Sequence, residues 1–554
     1  MPVLLIHNAR IFDGNQLIAA DAVAVSGGSV VALGTGSDLL AAAGPHTELI
    51  DAHGGLLTPG FTDAHVHAVA GGVERLGCDL SDAGNATECR DAISSYAART
   101  EAVDGWISGG GWTMSDFPGG TPTAVELDEL IPDRGAFLVN RDHHSAWVNT
   151  HALELAGITA DTPDPPGGRI ERDDSGTPTG TLHEGAMDLV SRLIPEETQE
   201  QLRHGLLEGQ RYLNTFGITG WQDAIIGQYS GHADPYAAYC AADAAGELHS
   251  DVVGALWWPR EVQDIPEQVR IFRERRRHAS SGTGFRATAV KFMLDGVVES
   301  RTAAMAEPYH SCGCPGAGSG LSYFEADFLA EAFAAIDAAG FDIHLHAIGD
   351  RAVSQGLDAF AAMRGANPGR DRRHHIAHLQ VVNPRDVPRF AELDVTANLQ
   401  ALWACNDDSM RDLTVPVLGE ERAGWQYPFR SLLDAGARLA MGSDWSVSTP
   451  DPWQAIHIAV NRTEGGAEEP REPLNPSEAI GLLDALRAYT SGSARLNRSA
   501  AGGRIEIGGP ADLALADRDP FAVPESDLHR LSNRLTVVAG AIVHDARNRT
   551  EGEA

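Results

Sequence analysis

The segment "ATAVKFMLDGVVES" (287–300) carries Lys291, the only lysine in a chain of 554 residues. The total of Lys plus Arg is 42, so each of the others is an arginine. Lys291 stands inside an apolar, strand-like run. A buried ammonium is costly, and burial beside other positive charge depresses its pKa, leaving a nucleophilic neutral amine. Such an amine adds carbon dioxide to become a carbamate, whose carboxylate tip can bridge two metal ions. Arginine stays protonated in a protein and cannot follow that route. The plainer alternative is a buried salt bridge from Lys291 to Asp295 or Glu299.

Other residues of the right chemistry surround this one in the pattern. In "DAHVH", His65 and His67 are two apart, so an extended strand points both to one side, where they can share a metal ion. Imidazole suits zinc and other borderline divalent metals. With 22 histidines in the chain an isolated pair of this kind is a weak signal. Its weight comes from His346 in "FDIHLHAIGD", His378 in "HHIAHLQ" and Asp444 in "ARLAMGSD", each ending a strand-like run. His344 shares a face with His346 but lies deeper, as a structural, hydrogen-bonded histidine; His374 and His375 read the same way.

These residues need a scaffold that brings strand ends together. Short apolar runs at 60–67, 218–224, 251–257, 287–296, 341–350, 374–380, 394–400 and 437–444 alternate with helical patterns such as "EADFLAEAFAAIDAAG". Eight such units predict an α/β fold, a (β/α)8 TIM-type barrel, with its chemistry at the C-terminal ends of the strands. About 150 residues separate the first two runs. That is too long for one βα unit and predicts an inserted subdomain at about 70–205 covering the active site. Alternating segments such as "DAVAVSGGSVVALG" and "RLTVVAGAIVHDA" predict antiparallel strands at both ends. The expected organisation is a composite β-sandwich from 1–57 plus 499–554 around a barrel at 58–498.

Bulk properties narrow the function classes. A net charge of −35 argues against nucleic acid and anionic membrane surfaces as partners. No apolar stretch reaches the roughly 18–20 residues that span a bilayer. Six cysteines fit no disulfide framework, and the N-terminus lacks a signal-peptide pattern, so a cytoplasmic location is expected. Cys312 and Cys314, in "SCGCPGAG", read as incidental thiols of a Gly-rich loop.

Taken together, "LLTPGFTDAHVH", "VKFMLDGVVESRTAAM", "HLHAIGDRAV", "IAHLQVV", "MGSDWSV" and "GGRIEIGGPADLALAD" resemble the metal-dependent amidohydrolase superfamily. Within it they are similar to the YtcJ-like branch (amidohydrolase family 3) that includes N-substituted formamide deformylases. The resemblance extends over nearly the whole chain. It implies that His65 and His67 bind one metal with Asp444 alongside, that carbamylated Lys291 bridges, and that His346 and His378 bind a second. One or two Zn2+ ions per chain, or other divalent transition metals, are implied. The segment "HHSAWVNTHAL" (143–153) places His144 at the family's histidine position; where the branch usually has glycine, this chain has His143. A homodimer is implied as well.

The chemistry then follows from the parts. Metal binding pulls the pKa of water from about 15.7 toward roughly 7. Asp444 is the expected general base, and a second metal or His144 the expected carbonyl polariser. Trp112, Trp147, Trp403 and Trp445 fall on segments expected to face the mouth and bind an apolar part of a small-molecule substrate. The expected function is hydrolysis of a C–N bond, in an amide or N-substituted formamide. A cyclic deaminase, a lactone or carbamate hydrolase, or a non-catalytic regulatory protein on the same scaffold are the alternatives.

Overall fold

The computed structural model describes residues 4–548, apart from 82, 101–104, 142, 144, 166–167, 230–231, 280–283, 311–317, 467–470 and 500–501. Its centre is a sheet of eight parallel strands that neighbour one another in chain order. They are β1 (Phe61–Val66), β2 (Ile218–Ile226), β3 (Asp251–Trp257), β4 (Phe285–Met293), β5 (Asp342–Ala347), β6 (His375–His378), β7 (Thr396–Leu399) and β8 (Leu439–Met441). All eight runs read from the sequence form strands. The sheet closes just beyond β8, where Asp444 N donates to His65 O at 2.7 Å and His67 N to Trp445 O at 2.6 Å. The approach is close enough that a Cβ on Gly442 would stand 2.5 Å from His65 N, so only glycine fits there.

Strand alternation decides which side chains enter the barrel. On β4, Val290 and Phe292 join the large apolar cluster between sheet and helices, and Phe292 stacks on Trp258. Ala289 packs instead with Val253 and Ala255 in a separate small cluster inside the barrel. Lys291 and Met293, two and four residues further on, share that inner face. On β5 the outward residues are Ile343, Leu345 and Ala347, which turns His344 and His346 inward. The helix Ala326–Ala338 covers the outside with Leu329, Ala332, Phe333 and Ile336, at the three- and four-residue spacing of one helical face.

Both chain ends build one sandwich. A four-stranded sheet holds Leu4–His7, Ala22–Ser26, Ser29–Gly34 and Glu48–Asp51. The facing six-stranded sheet combines Arg10–Phe12, Leu17–Ile18 and Leu56–Pro59 with Leu513–Ala516, Asn533–Val538 and Ala541–Asp545. Ile6, Val23, Leu57, Leu515 and Val537 share its core. Two of its pairings are parallel rather than antiparallel, Leu4–His7 with Glu48–Asp51 and Arg10–Phe12 with Leu56–Pro59. Each joins strands separated by a long connection, the first including the helix Gly36–Ala42, as parallel pairs require. Leu56–Pro59 runs straight into β1, so the sandwich anchors the strand that carries His65.

The insert follows β1. Its entry helix α1 (Ala68–Leu76) begins at His67, and its exit helix α2 (Gln199–Thr215) leads into β2. Between them a six-stranded sheet spans Cys78–Asp79 to Pro178–Glu184. The two helices touch backbone to backbone: a Cβ on Gly72 would lie 1.8 Å from Gly205 O, and one on Gly209 2.3 Å from Ala68 O. No helix among the described residues is long and apolar enough to cross a membrane.

Candidate metal centre

His65, His67, His346, His378 and Asp444 come together at the C-terminal end of the barrel. His65 Nε2 and His67 Nε2 lie 3.3 and 3.0 Å from Asp444 Oδ1. The rings of His65 and His378 are 4.8 Å apart, and those of His346 and His378 4.3 Å. Donor atoms of His65, His378 and Asp444 all lie within 4.8 Å of one another, close enough to hold one ion. Among the described residues the same site leaves two buried imidazole nitrogens with no hydrogen-bond partner, His346 Nε2 and His378 Nδ1. Buried polar atoms are normally paired. The His65, His378 and Asp444 cluster, with unpaired imidazole nitrogens beside it, matches a zinc-class ion, which takes imidazole and carboxylate donors.

Backbone conformation places two of these residues. On β6, His375 faces inward against His344 (4.2 Å between rings) and Ile376 faces outward, so alternation alone would send His378 outward. His378 and Leu379 take φ of 79° and 53°, which turns the His378 ring back toward His346. Asp444 has φ 58°. Left-handed backbone at a non-glycine residue costs about 1–3 kcal/mol and concentrates at functional sites.

Lys291 is 1% exposed. Burial lowers its pKa to about 7, against the opposing pull of Asp444. It stands in register with His344 of β5, two residues before the pair Met293 and His346. No ion pair joins it to Asp295 or Glu299 among the described residues. Asp295 instead accepts from the backbone N–H groups of Ala304, Ile348 and Gly349. Glu299 accepts from Thr414 Oγ1 at 2.7 Å. Burial, with the charge of Lys291, holds His65 neutral with a pKa of about 3. Burial also pushes His346 and His378 well below the ordinary range. Burial alone would raise Asp444, but the adjoining His65 and His67 outweigh it and hold the carboxyl well below the ordinary range.

A chain of side chains behind the ligands was not apparent from sequence. Gln222 Nε2 donates to Asn497 Oδ1 at 2.9 Å, which orients its amide. Gln222 Oε1 then accepts from His344 Nδ1 at 2.6 Å, and His344 Nε2 accepts from His65 Nδ1 at 3.0 Å. Asp63, raised by burial to about 7, accepts from His65 N at 3.0 Å and from Ser443 N at 3.1 Å, tying β1 to the turn after β8. His344 is thus structural, as expected. His374 is structural too, its Nδ1 accepting from Ile343 N at 3.0 Å.

The four tryptophans separate. Trp112 and Trp147 are corrected to core residues of the insert: both are fully buried, and their indole N–H groups donate to Leu138 O and Thr123 O. Neither has ring surface to offer a ligand. Trp445 packs under α1 and α2, 5.2 Å from the Tyr212 ring. Trp403 alone reaches the centre, stacked on His378 at 5.4 Å with an interplanar angle of 2°. His144, Cys312 and Cys314 lie outside the described residues. His143, where the branch usually has glycine, adopts φ 64°, the conformation glycine favours. Its Nε2 lies 3.7 Å from Glu74, whose other oxygen accepts from Ser446 Oγ at 3.0 Å. This brings the insert to within two residues of Asp444.

Comparison with known proteins agrees with this geometry. The sequence profile of the Amidohydrolase family matches residues 48–544. YtcJ of Bacillus subtilis is 30% identical over 509 residues, 90% of this chain and 91% of that one. The N-substituted formamide deformylase of Arthrobacter pascens is 29% identical and covers 97% of both chains. A crystal structure of a metal-dependent hydrolase from Pyrococcus furiosus superposes with a TM-score of 0.71 at 26% identity, over 93% of this chain and 99% of the other.

Proposed function

Because the chain belongs to the amidohydrolase family and is a hydrolase, we propose that the bond it cleaves is a C–N bond, in an amide or an N-substituted formamide. The carrying observation is the buried cluster of His65, His378 and Asp444, whose donor atoms lie within 4.8 Å of one another, with unpaired His346 Nε2 on the ring that adjoins His378. His65, His67, His346, His378 and Asp444 would hold one or two divalent ions, and Lys291, once carbamylated, would add an anionic ligand between them. When bound, a zinc-class ion supplies an acidified water and polarises the scissile carbonyl. Asp444, ionised at neutral pH, takes a proton at Oδ1 and delivers it to the leaving nitrogen. Trp403 shields the His378 side of the centre from bulk water. The similarity to a formamide deformylase over 97% of both chains supports this choice of substrate.

Elemental analysis tests the reading. Native protein purified without chelators should carry about two divalent ions per chain, falling to one or fewer in Lys291→Ala. Apo protein should recover activity on a panel of amides and formamides faster with bicarbonate than without. Native protein that holds no metal, or a Lys291→Ala variant with an unchanged metal content, would overturn the ligand assignment.

A further inference from the structure

At the C-terminal ends of β2 and β3 a cavity of about 560 Å³ opens between the segments that follow these strands. That volume lies in the roughly 300–1,000 Å³ range of small-molecule sites. Tyr229 and Trp257 supply an aromatic wall, their rings 4.9 Å apart. Two arginines line it. Arg275 is paired with Asp234, which also lines the cavity. Arg260 has no carboxylate partner among the described residues. Glu261 lines the cavity too, but it is exposed and makes no ion pair with Arg260.

Arg260 is held ready for an anion. Its guanidinium lies 3.6 Å over the Tyr323 ring, which fixes its plane. Its Nε is buried without a partner. Among the described residues its Nη2 meets the thioether of Met293, at 2.9 Å, and Tyr229 OH approaches the same sulfur at 3.5 Å. A thioether is a weak acceptor, whereas the flat donor fork of arginine matches a carboxylate. Met293 is the inward residue two beyond Lys291 and is in register with His346. Two strand residues span about 6.6 Å. Through Met293, Arg260 thus adjoins the strand ends that carry Lys291 and His346.

We propose that Arg260 sets specificity by binding a carboxylate on the substrate, so that the preferred substrates are amides or formamides of amino-acid-like compounds. This rests on the C–N hydrolase reading above. The test compares N-formylphenylalanine with its neutral carboxamide on the zinc-loaded enzyme, by formate release and by calorimetric binding. Wild type should favour the carboxylate at least tenfold in kcat/KM and in affinity. Arg260→Met should bring both ratios to within twofold of one, and Arg260→Lys, which keeps the charge without the fork, should fall between. A preference that survives Arg260→Met, as direct binding of the carboxylate to the metal would give, overturns the proposal, as does a wild type that binds both compounds equally. If Arg260→Met does not fold, an Arg260→Lys variant with an undiminished ratio decides against it. If neither compound is hydrolysed, the formamide reading fails, while the two affinities still decide the role of Arg260.

Discussion

The tautomer of His65 is set by a side chain that His65 does not touch. Gln222 Oε1 can only accept, so His344 Nδ1 must carry its proton; His344 Nε2 is then bare and takes the proton of His65 Nδ1. The lone pair of His65 is left on Nε2, the atom facing Asp444. Outer partners of this kind typically change metal affinity by about 10–100-fold when removed. Gln222→Met, similar in volume but without the amide, should weaken metal binding by that factor, measured by competition with a chelator. Unchanged affinity would mean that the tautomer is held by something other than Gln222. Nothing in "ITGWQDA" marks Gln222 as different from a solvated polar residue, because its importance comes from a contact with Asn497, which is 275 residues away. The positions that the barrel brings together, by contrast, were legible: His65, His67, His346 and Asp444 end apolar runs that strand periodicity exposes. His378 was legible as a strand-end histidine, but its inward turn was not, since that depends on a left-handed backbone.

At the scale of elements, the contact between α1 and α2 controls the metal end of β1. α1 starts at His67, so a displacement of the helix reaches a proposed ligand directly. A methyl group on Gly72 would stand 1.8 Å from the Gly205 carbonyl oxygen, with backbone on both sides and nothing flexible to yield. Overpacking of this kind costs about 1–3 kcal/mol. Gly72→Ala should lower the melting temperature and reduce bound metal together. A variant that melts like wild type would show that the helices separate without strain. The barrel strands could be read because each is short, apolar and followed by a helical pattern. Trp112 and Trp147 could not be assigned, because an aromatic residue in a small inserted sheet looks the same in sequence whether it fills that sheet's core or faces a cavity. The parallel pairings in the sandwich were missed for a related reason: strand periodicity identifies strands but not their direction.

Across the whole molecule, a net charge of −35 acts against compactness. Exposed arginine–carboxylate pairs such as Arg270 with Glu267 and Glu274 offset little of it, at about 0.2–1 kcal/mol each. Raising salt from about 0.01 M to 1 M shortens the screening length from about 30 Å to 3 Å. The melting temperature should therefore rise by a few degrees with NaCl; a fall would mean that the ion pairs outweigh the repulsion. The close meeting of α1 and α2 has one more consequence. The chain leaves the barrel and returns to it through two touching helices, so everything between Gly77 and Thr198 is an excursion with adjoining ends. Such a segment can be exchanged as a cassette without altering the path of any barrel strand. A lineage could therefore replace the insert while the proposed metal ligands on the barrel strands stayed in place. The same junction is where a transplanted insert from another member of the family should be spliced.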